Sequence, residues 1–414
     1  MGKRARQRSS KQISSAGIAA LIIAVGPVIL ACVTRFREIS IKGFRRLADV
    51  QLELRPLTVL IGANGIGKTS LLDVFSLLAS SAGGSLNTAL SELGGLAALI
   101  TYDHAEELAL GISMEVQNKE PLLYLLRIGP RGPSYVIEEE TLIQNRPAEP
   151  GPFKHIDSHG ANIRYYKVKK GRLVRPTWEH NPLETSLYEV PKMFQGPEDF
   201  RRKLASSMSY HALDVGPRSP IRLPQPMRPA ALPGRNGEDL VSCLFSLRET
   251  ERDRFEAIED TLRAAFPGFD RLDFPPVAAG TLALIWRDKN FSKPLYANQL
   301  SEGMLRFLWL ATLLQSPELT ELTLIDEPEV SLHPELLNLL SDLFREASRR
   351  TQLVIATHSD RLVRFLKPEE VVVMGATEDG TAKLTWADKL NLGEWLAEYS
   401  LDEVWRRGRM GGRA

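Results

Sequence analysis

Residues 62–70 read GANGIGKTS and fit G-x-x-x-x-G-K-[ST] through Gly62, Gly67, Lys68 and Thr69. Glycines let a loop turn its N–H groups onto phosphate oxygens, and a helix N-terminus adds partial positive charge. In this pattern the lysine reaches the β- and γ-phosphates, and the threonine hydroxyl is placed to hold Mg²⁺. The candidate phosphate contacts are Gly62, Ala63, Asn64, Gly65, Gly67, Lys68, Thr69 and Ser70, with ATP and Mg²⁺ as the cofactors.

A second stretch, LTLIDEPE, ends an apolar run in Asp326 and Glu327. Buried carboxylates are costly unless paired or metal-bound. At the C-terminal end of a parallel strand they face the ligand crevice. Asp326 is expected to hold Mg²⁺, directly or through water. Glu327 is expected to polarise the attacking water as the base. The plainer alternative is a helix start after a strand, with proline at its first position. A third stretch, QLVIATHSD, ends another apolar run at His358. One helix after the acids, a neighbouring parallel strand would bring His358 beside them, where it could sense the γ-phosphate or orient the water. A histidine at a strand end also serves as a simple hydrogen-bonding residue. The catalytic candidates are Glu327, His358 and Lys68.

A fourth stretch, LSEGMLRFL, has Ser301 as a helix cap and Gly303 for close approach. Read locally, it is only a helix N-terminus. Read with the other three, it is a second phosphate-binding element, and one that cannot easily serve the loop of its own chain.

These residues need a scaffold. LTVLI is continuously apolar, as a strand covered on both faces should be. ISIKGF and DVQLEL alternate, as half-buried strands do. A helix is predicted from Lys68 to Leu78, broken by SSAGGS. Residues 96–176 read as an antiparallel meander. Residues 177–236, rich in Pro, Ser and Asn, read as a linker or irregular surface with one helix near Pro197–Ser206. Two helices are predicted over Asp239–Leu247 and Glu249–Ala265, neither long enough for a coiled-coil arm. Beyond residue 296, strand and helix alternate, which implies βαβ crossovers and a mainly parallel sheet. The middle of the chain is thus an insertion into one nucleotide-binding domain. The division is 1–32, a basic and apolar extension; 33–95, the first part of the core; 96–295, the insertion; 296–375, the rest of the core; and 376–414, a strand and tail.

Composition narrows the partners. The 414 residues are 43% hydrophobic and 25% charged, with a formal net charge of +1. There is no global pull toward nucleic acid or membrane. Cys32 and Cys243 form no metal spacing or disulfide framework, which fits a reducing, cytoplasmic setting. His155 and His159 lack a further Cys or acidic cluster to make a metal site. The run RYYKVKKGRLVR sets Arg164, Lys167, Lys169, Lys170, Arg172 and Arg175 among tyrosines. It is either a solvated strand face or a DNA contact.

The N-terminus conflicts with this setting. MGKRARQRSSK is basic, and the residues from Ile13 to Val33 carry no charge, which reads as a signal peptide or anchor. Such a span would send the remainder of the chain away from ATP. The preferred expectation is a physiological start near Val33. A membrane anchor and an extra soluble helix are the alternatives.

GANGIGKTS, LSEGMLRF, LIDEPEVSLHP and IATHSD, in this order, resemble the ABC-type ATPase heads of the RecF, SMC and OLD proteins. The nearest resemblance is to compact RecF-like AAA-family ATPases, whose start resembles ISIKGFRRLADVQLEL and whose end resembles YSLDEVWRRGRMGG. It covers residues 33–414. It implies an α/β P-loop NTPase of ABC-ATPase head type, with a mainly parallel core sheet, an antiparallel β subdomain and an inserted helical segment. It implies that Ser301 and Gly303 complete the γ-phosphate site of a second copy, so that ATP joins a homodimer. It further implies that Asn64 lies near the γ-phosphate, that Arg45 contacts nucleotide, and that the segment containing His333 crosses the dimer interface. The sequence departs from the family in two places. Residues 80–110 hold no clear counterpart of the usual glutamine-containing loop, and the signature reads SEGM rather than SGGQ.

Only 56 residues follow His358, too few for the nuclease of OLD-type proteins. The expected function is an ATP-hydrolysing dimeric switch that gates a separate nuclease or toxin in DNA repair or phage defence. The alternative is a DNA-binding clamp whose ATP cycle only resets binding. A transporter subunit would need a membrane partner, and the long β-rich insertion argues against it.

Overall fold

The computed structural model describes residues 35–146, 151–167, 171–189, 195–396 and 398–411. The N-terminal extension, Lys169 and Lys170 lie outside the described residues. Among those described, no helix is long and apolar enough to cross a membrane.

Two large sheets hold the molecule together. The core sheet has six strands in the order Met208–Tyr210, Leu322–Asp326, Gln352–Ala356, Leu57–Gly62, Val371–Ala376 and Ala382–Trp386. Neighbouring strands run parallel up to the last, which is antiparallel. The phosphate-loop strand is central, and all six of its residues are buried.

Successive side chains leave a strand on opposite faces, and the core sheet buries both. Val59, Ile61, Ile325, Leu353, Ile355 and Val373 pack toward the helices Leu240–Thr250, Arg252–Ala265, Glu302–Gln315 and Leu336–Ala347. Leu60, Leu324, Val354, Ala356, Val372 and Met374 pack the other way, with the helix Lys68–Gly83. That helix lies between the core sheet and an eight-stranded antiparallel sheet that begins with the hairpin Phe36–Phe44 and Leu47–Glu53. Buried Gln352 clamps the two sheets: Phe36 N donates to its Oε1 at 2.7 Å, and its Nε2 donates to Phe36 O at 2.8 Å.

Several elements differ from the sequence reading. The phosphate-loop helix continues to Gly83 rather than stopping at Leu78. Ala79, Ser81 and Ala82 are small and buried there, and Thr185 Oγ1 donates to Ser81 O at 2.7 Å. Tertiary packing overrides the weak helix propensity of serine and glycine. Leu96–Leu99 is a short helix, and strand structure begins at Leu108. The opening hairpin belongs to the antiparallel sheet, because Phe36–Phe44 pairs with Leu108–Val116 across residue 95. Residues 177–236 are not only surface. Tyr210, Leu213, Val215 and Ile221 are buried in the main core, and Met208–Tyr210 forms the edge of the core sheet. The two middle helices run Leu240–Thr250 and Arg252–Ala265.

Candidate functional site

The site forms where three core strands end. Leu57–Gly62 delivers the phosphate loop, Gln352–Ala356 delivers Thr357 and His358, and Leu322–Asp326 delivers Asp326 and Glu327. Parallel register sets Asp326 opposite Ala356, and Ala356 opposite Leu60. All three strand ends are therefore level.

The loop closes on its own lysine. Lys68 Nζ donates to Gly62 O at 2.6 Å and to Ala63 O at 3.0 Å. Burial pulls its pKa down to about 8, while Asp326, Glu327 and Glu329 oppose the shift. Gly62 is required by space: a Cβ there would meet Met374 O at 2.4 Å. Asn64, Gly65 and Thr69 are exposed at the mouth of the loop, whereas Ser70 is buried.

Thr69 Oγ1 donates to Asp326 Oδ2 at 3.0 Å, which brings the two predicted magnesium residues together. Glu327 takes a left-handed backbone, φ 51°, an unusual conformation for a residue with a side chain. Its N–H donates to Ala356 O at 2.8 Å, which holds the turn. Such strain costs roughly 1–3 kcal/mol and clusters at functional sites. Glu327 Oε1 stands 3.7 Å from His358 Nε2. Burial and then Lys68 lower the His358 pKa, and the two acids oppose them. A neutral imidazole beside the carboxylate is the form these surroundings favour.

Two residues of the site were missed in the sequence. Glu329 is half-buried and accepts from Thr357 Oγ1 at 2.6 Å and from His358 N at 3.2 Å. It fixes the histidine segment against the acid turn, and burial raises its pKa. Its signal was the second glutamate of DEPE. His211 follows the edge strand, and its Nδ1 is 3.8 Å from Asp326 Oδ2. The nearby carboxylate raises its pKa against the effect of burial. A three-residue strand in a Pro/Ser-rich stretch gave no usable signal for it.

Other candidates lie apart or are already engaged. Arg45 Nη1 donates to Asp73 Oδ2 at 2.6 Å and Ser70 Oγ at 3.3 Å. It braces the phosphate-loop helix. Ser301 caps its own helix, accepting from Met304 N at 3.3 Å. Gly303 sits on the turn after the acids, where a Cβ would meet Ser331 O at 2.8 Å. His333 is exposed on that segment, 3.7 Å from Glu335. In the basic run, Arg164 is bound to Asp157, whereas Arg172 and Arg175 are exposed. His155 is inside the antiparallel sheet, edge-on to Phe153 at 4.8 Å, and burial lowers its pKa to about 4. Among the described residues, no group of three or more His, Cys, Asp or Glu could hold a metal ion.

A phosphate loop on a central strand, a histidine on the next strand and an acid pair on the one beyond define a P-loop ATPase of the AAA/ABC type. The family described as "AAA domain, putative AbiEii toxin, Type IV TA system" matches residues 57–364, and the chain belongs to that family. No curated protein matches it. Its fold is similar to the SmcHead bound to the C-winged helix domain of ScpA, at 15% identity and a TM-score of 0.52, over 85% of this chain and 97% of that one. It is also similar to the Smc head domain with an extended coiled coil, bound to the C-terminal domain of ScpA, derived from Pyrococcus furiosus. There the identity is 13% and the TM-score 0.53, over 88% of this chain and 100% of that one. At these identities the likeness shows the fold: an ABC-ATPase-like α/β head.

Proposed function

We propose that the protein binds ATP with Mg²⁺, hydrolyses it, and uses it to join two copies into a dimeric switch. The observation that carries this reading is the convergence of Lys68, Thr69, Asp326, Glu327 and His358 at three adjacent strand ends. The residues fit the absent groups. Lys68 rests on loop carbonyls, a place a phosphate oxygen can compete for. Thr69 and Asp326 offer two hard oxygens, the ligand type and small number that Mg²⁺ takes from protein when phosphates supply the rest.

Bound Mg·ATP would supply the electrophilic phosphorus and neutralise charge on the leaving group. The chain's own groups do the remainder. Lys68 and the loop N–H groups hold the phosphates in line. Glu327 accepts the proton of the attacking water, and the left-handed turn presents its carboxylate to the crevice. His358 orients that water and is itself held by Glu329. Ser301 and Gly303, engaged only locally, offer their helix N-terminus to the loop of a second copy.

The switch is proposed to act on a separate effector, a nuclease or toxin, in phage defence or DNA repair in the cytoplasm. The toxin–antitoxin wording of the family description supports an effector partner, and the Smc heads similar in fold carry a bound partner, ScpA. ATP turnover by the wild-type protein, lost in Lys68→Ala and in Glu327→Gln, tests the reading. Equal turnover in all three proteins refutes it.

A further inference from the structure

His211 ends the short edge strand, and no motif announces it. Parallel pairing sets Tyr210 against Ile325, so the next residue comes level with Asp326. Its Nδ1 lies 3.8 Å from Asp326 Oδ2, the same oxygen that accepts from Thr69 Oγ1 at 3.0 Å. The carboxylate is therefore flanked by a hydroxyl and an imidazole. The separation is too long for a direct hydrogen bond, but a small turn of the exposed imidazole, or one bridging water, would let its N–H serve the carboxylate.

The same strand end is tied to the helix that Ser301 begins. Tyr210 packs edge-on against Trp309 of that helix, with ring centroids 5.7 Å apart. His211, Arg306, Trp309 and Asp326 line one small cleft. Arg306 Nε is buried there without a hydrogen-bond partner, so the cleft is not a fully satisfied, locked contact.

We propose that His211 is a positioning residue of the magnesium site. It holds Asp326 for the cation and, through Tyr210 and Trp309, joins that carboxylate to the signature helix. The inference rests on the phosphate-site reading above. Metal ligands are oriented by outer partners, whose loss typically costs about 10- to 100-fold in metal affinity. Removing the imidazole should weaken the magnesium-dependent part of nucleotide binding and spare the part the loop makes without metal.

The test is binding of a fluorescent ATP analogue to the full chain, in Mg²⁺ and in EDTA, by wild type, His211→Ala and His211→Gln. The His211 side chain is 62% exposed, so both variants should fold, and a thermal melt checks this. In Mg²⁺, His211→Ala is expected to bind at least about tenfold more weakly than wild type. In EDTA the two should match. His211→Gln keeps an N–H donor and should recover most of the loss. Wild-type affinity of His211→Ala in Mg²⁺ overturns the inference. So does an equal loss in both conditions, or a glutamine variant no better than the alanine one. Wild-type protein that binds nucleotide in neither condition overturns the phosphate-site reading as well.

Discussion

The phosphate loop and the signature helix each present a helix N-terminus, but their surroundings differ. At Lys68, side chains from three strands converge: Thr69 meets Asp326 at 3.0 Å, and Glu327 stands 3.7 Å from His358. At Ser301, the cap is local, and the nearest neighbour is the Ser331 turn of the same chain. The first region brings a lysine, a hydroxyl, three carboxylates and an imidazole to one crevice. The second is a capped helix N-terminus engaged with its own chain. That contrast fits the proposed site shared between two copies.

The largest effect should come from the first region. Glu327→Gln should cut ATP turnover by about 10²- to 10⁴-fold, the range of a general base, and leave ATP affinity intact. A steady-state phosphate-release assay with a parallel binding titration reads both. Lys68→Ala comes next. Loss of a charged hydrogen-bonding group, about 1.5–3 kcal/mol, should weaken ATP binding roughly 10- to 100-fold. A titration that shows unchanged affinity would break the contrast from the loop side.

Gly303→Ala probes the second region. Its Cβ would strike Ser331 O, so overpacking of about 1–3 kcal/mol is expected, read as a lower denaturant midpoint. ATP binding by the single chain should hold, whereas ATP-driven dimerisation should weaken, because the same glycine lies at the helix N-terminus proposed to face the second copy. The smallest effect belongs to neither region. Burial lowers the His155 pKa from 6.5 to about 4, so the folded state binds fewer protons than the unfolded state between those values. Stability should therefore fall as pH drops from 6.5 toward 4 and level off below. His155→Phe should flatten that slope in pH-dependent melts and leave ATP turnover unchanged.

The placement of Lys68, Asp326, Glu327 and His358 was legible because each lies in a short motif at the end of an unmistakable apolar strand. Their convergence followed from parallel alternation. What was hidden depends on pairing between distant segments. His211 matters only because a three-residue strand joins Leu322–Asp326 from more than a hundred residues away. The opening hairpin has the pattern of any half-buried strand pair, and nothing local tells which sheet it enters. The partner of Arg45 was hidden for the same reason: Asp73 is brought to it by the docking of the hairpin on the phosphate-loop helix. Gln352 gave no signal either, since a buried amide clamp between two sheets leaves no periodic trace.

The shared site can be tested by the mass of the Glu327→Gln protein in solution, measured by light scattering with and without Mg·ATP. The mass should double with Mg·ATP and stay at one chain when Ser301→Arg is added to the same protein. A single-chain mass at saturating ATP, or a dimer that forms regardless of Ser301, would contradict it.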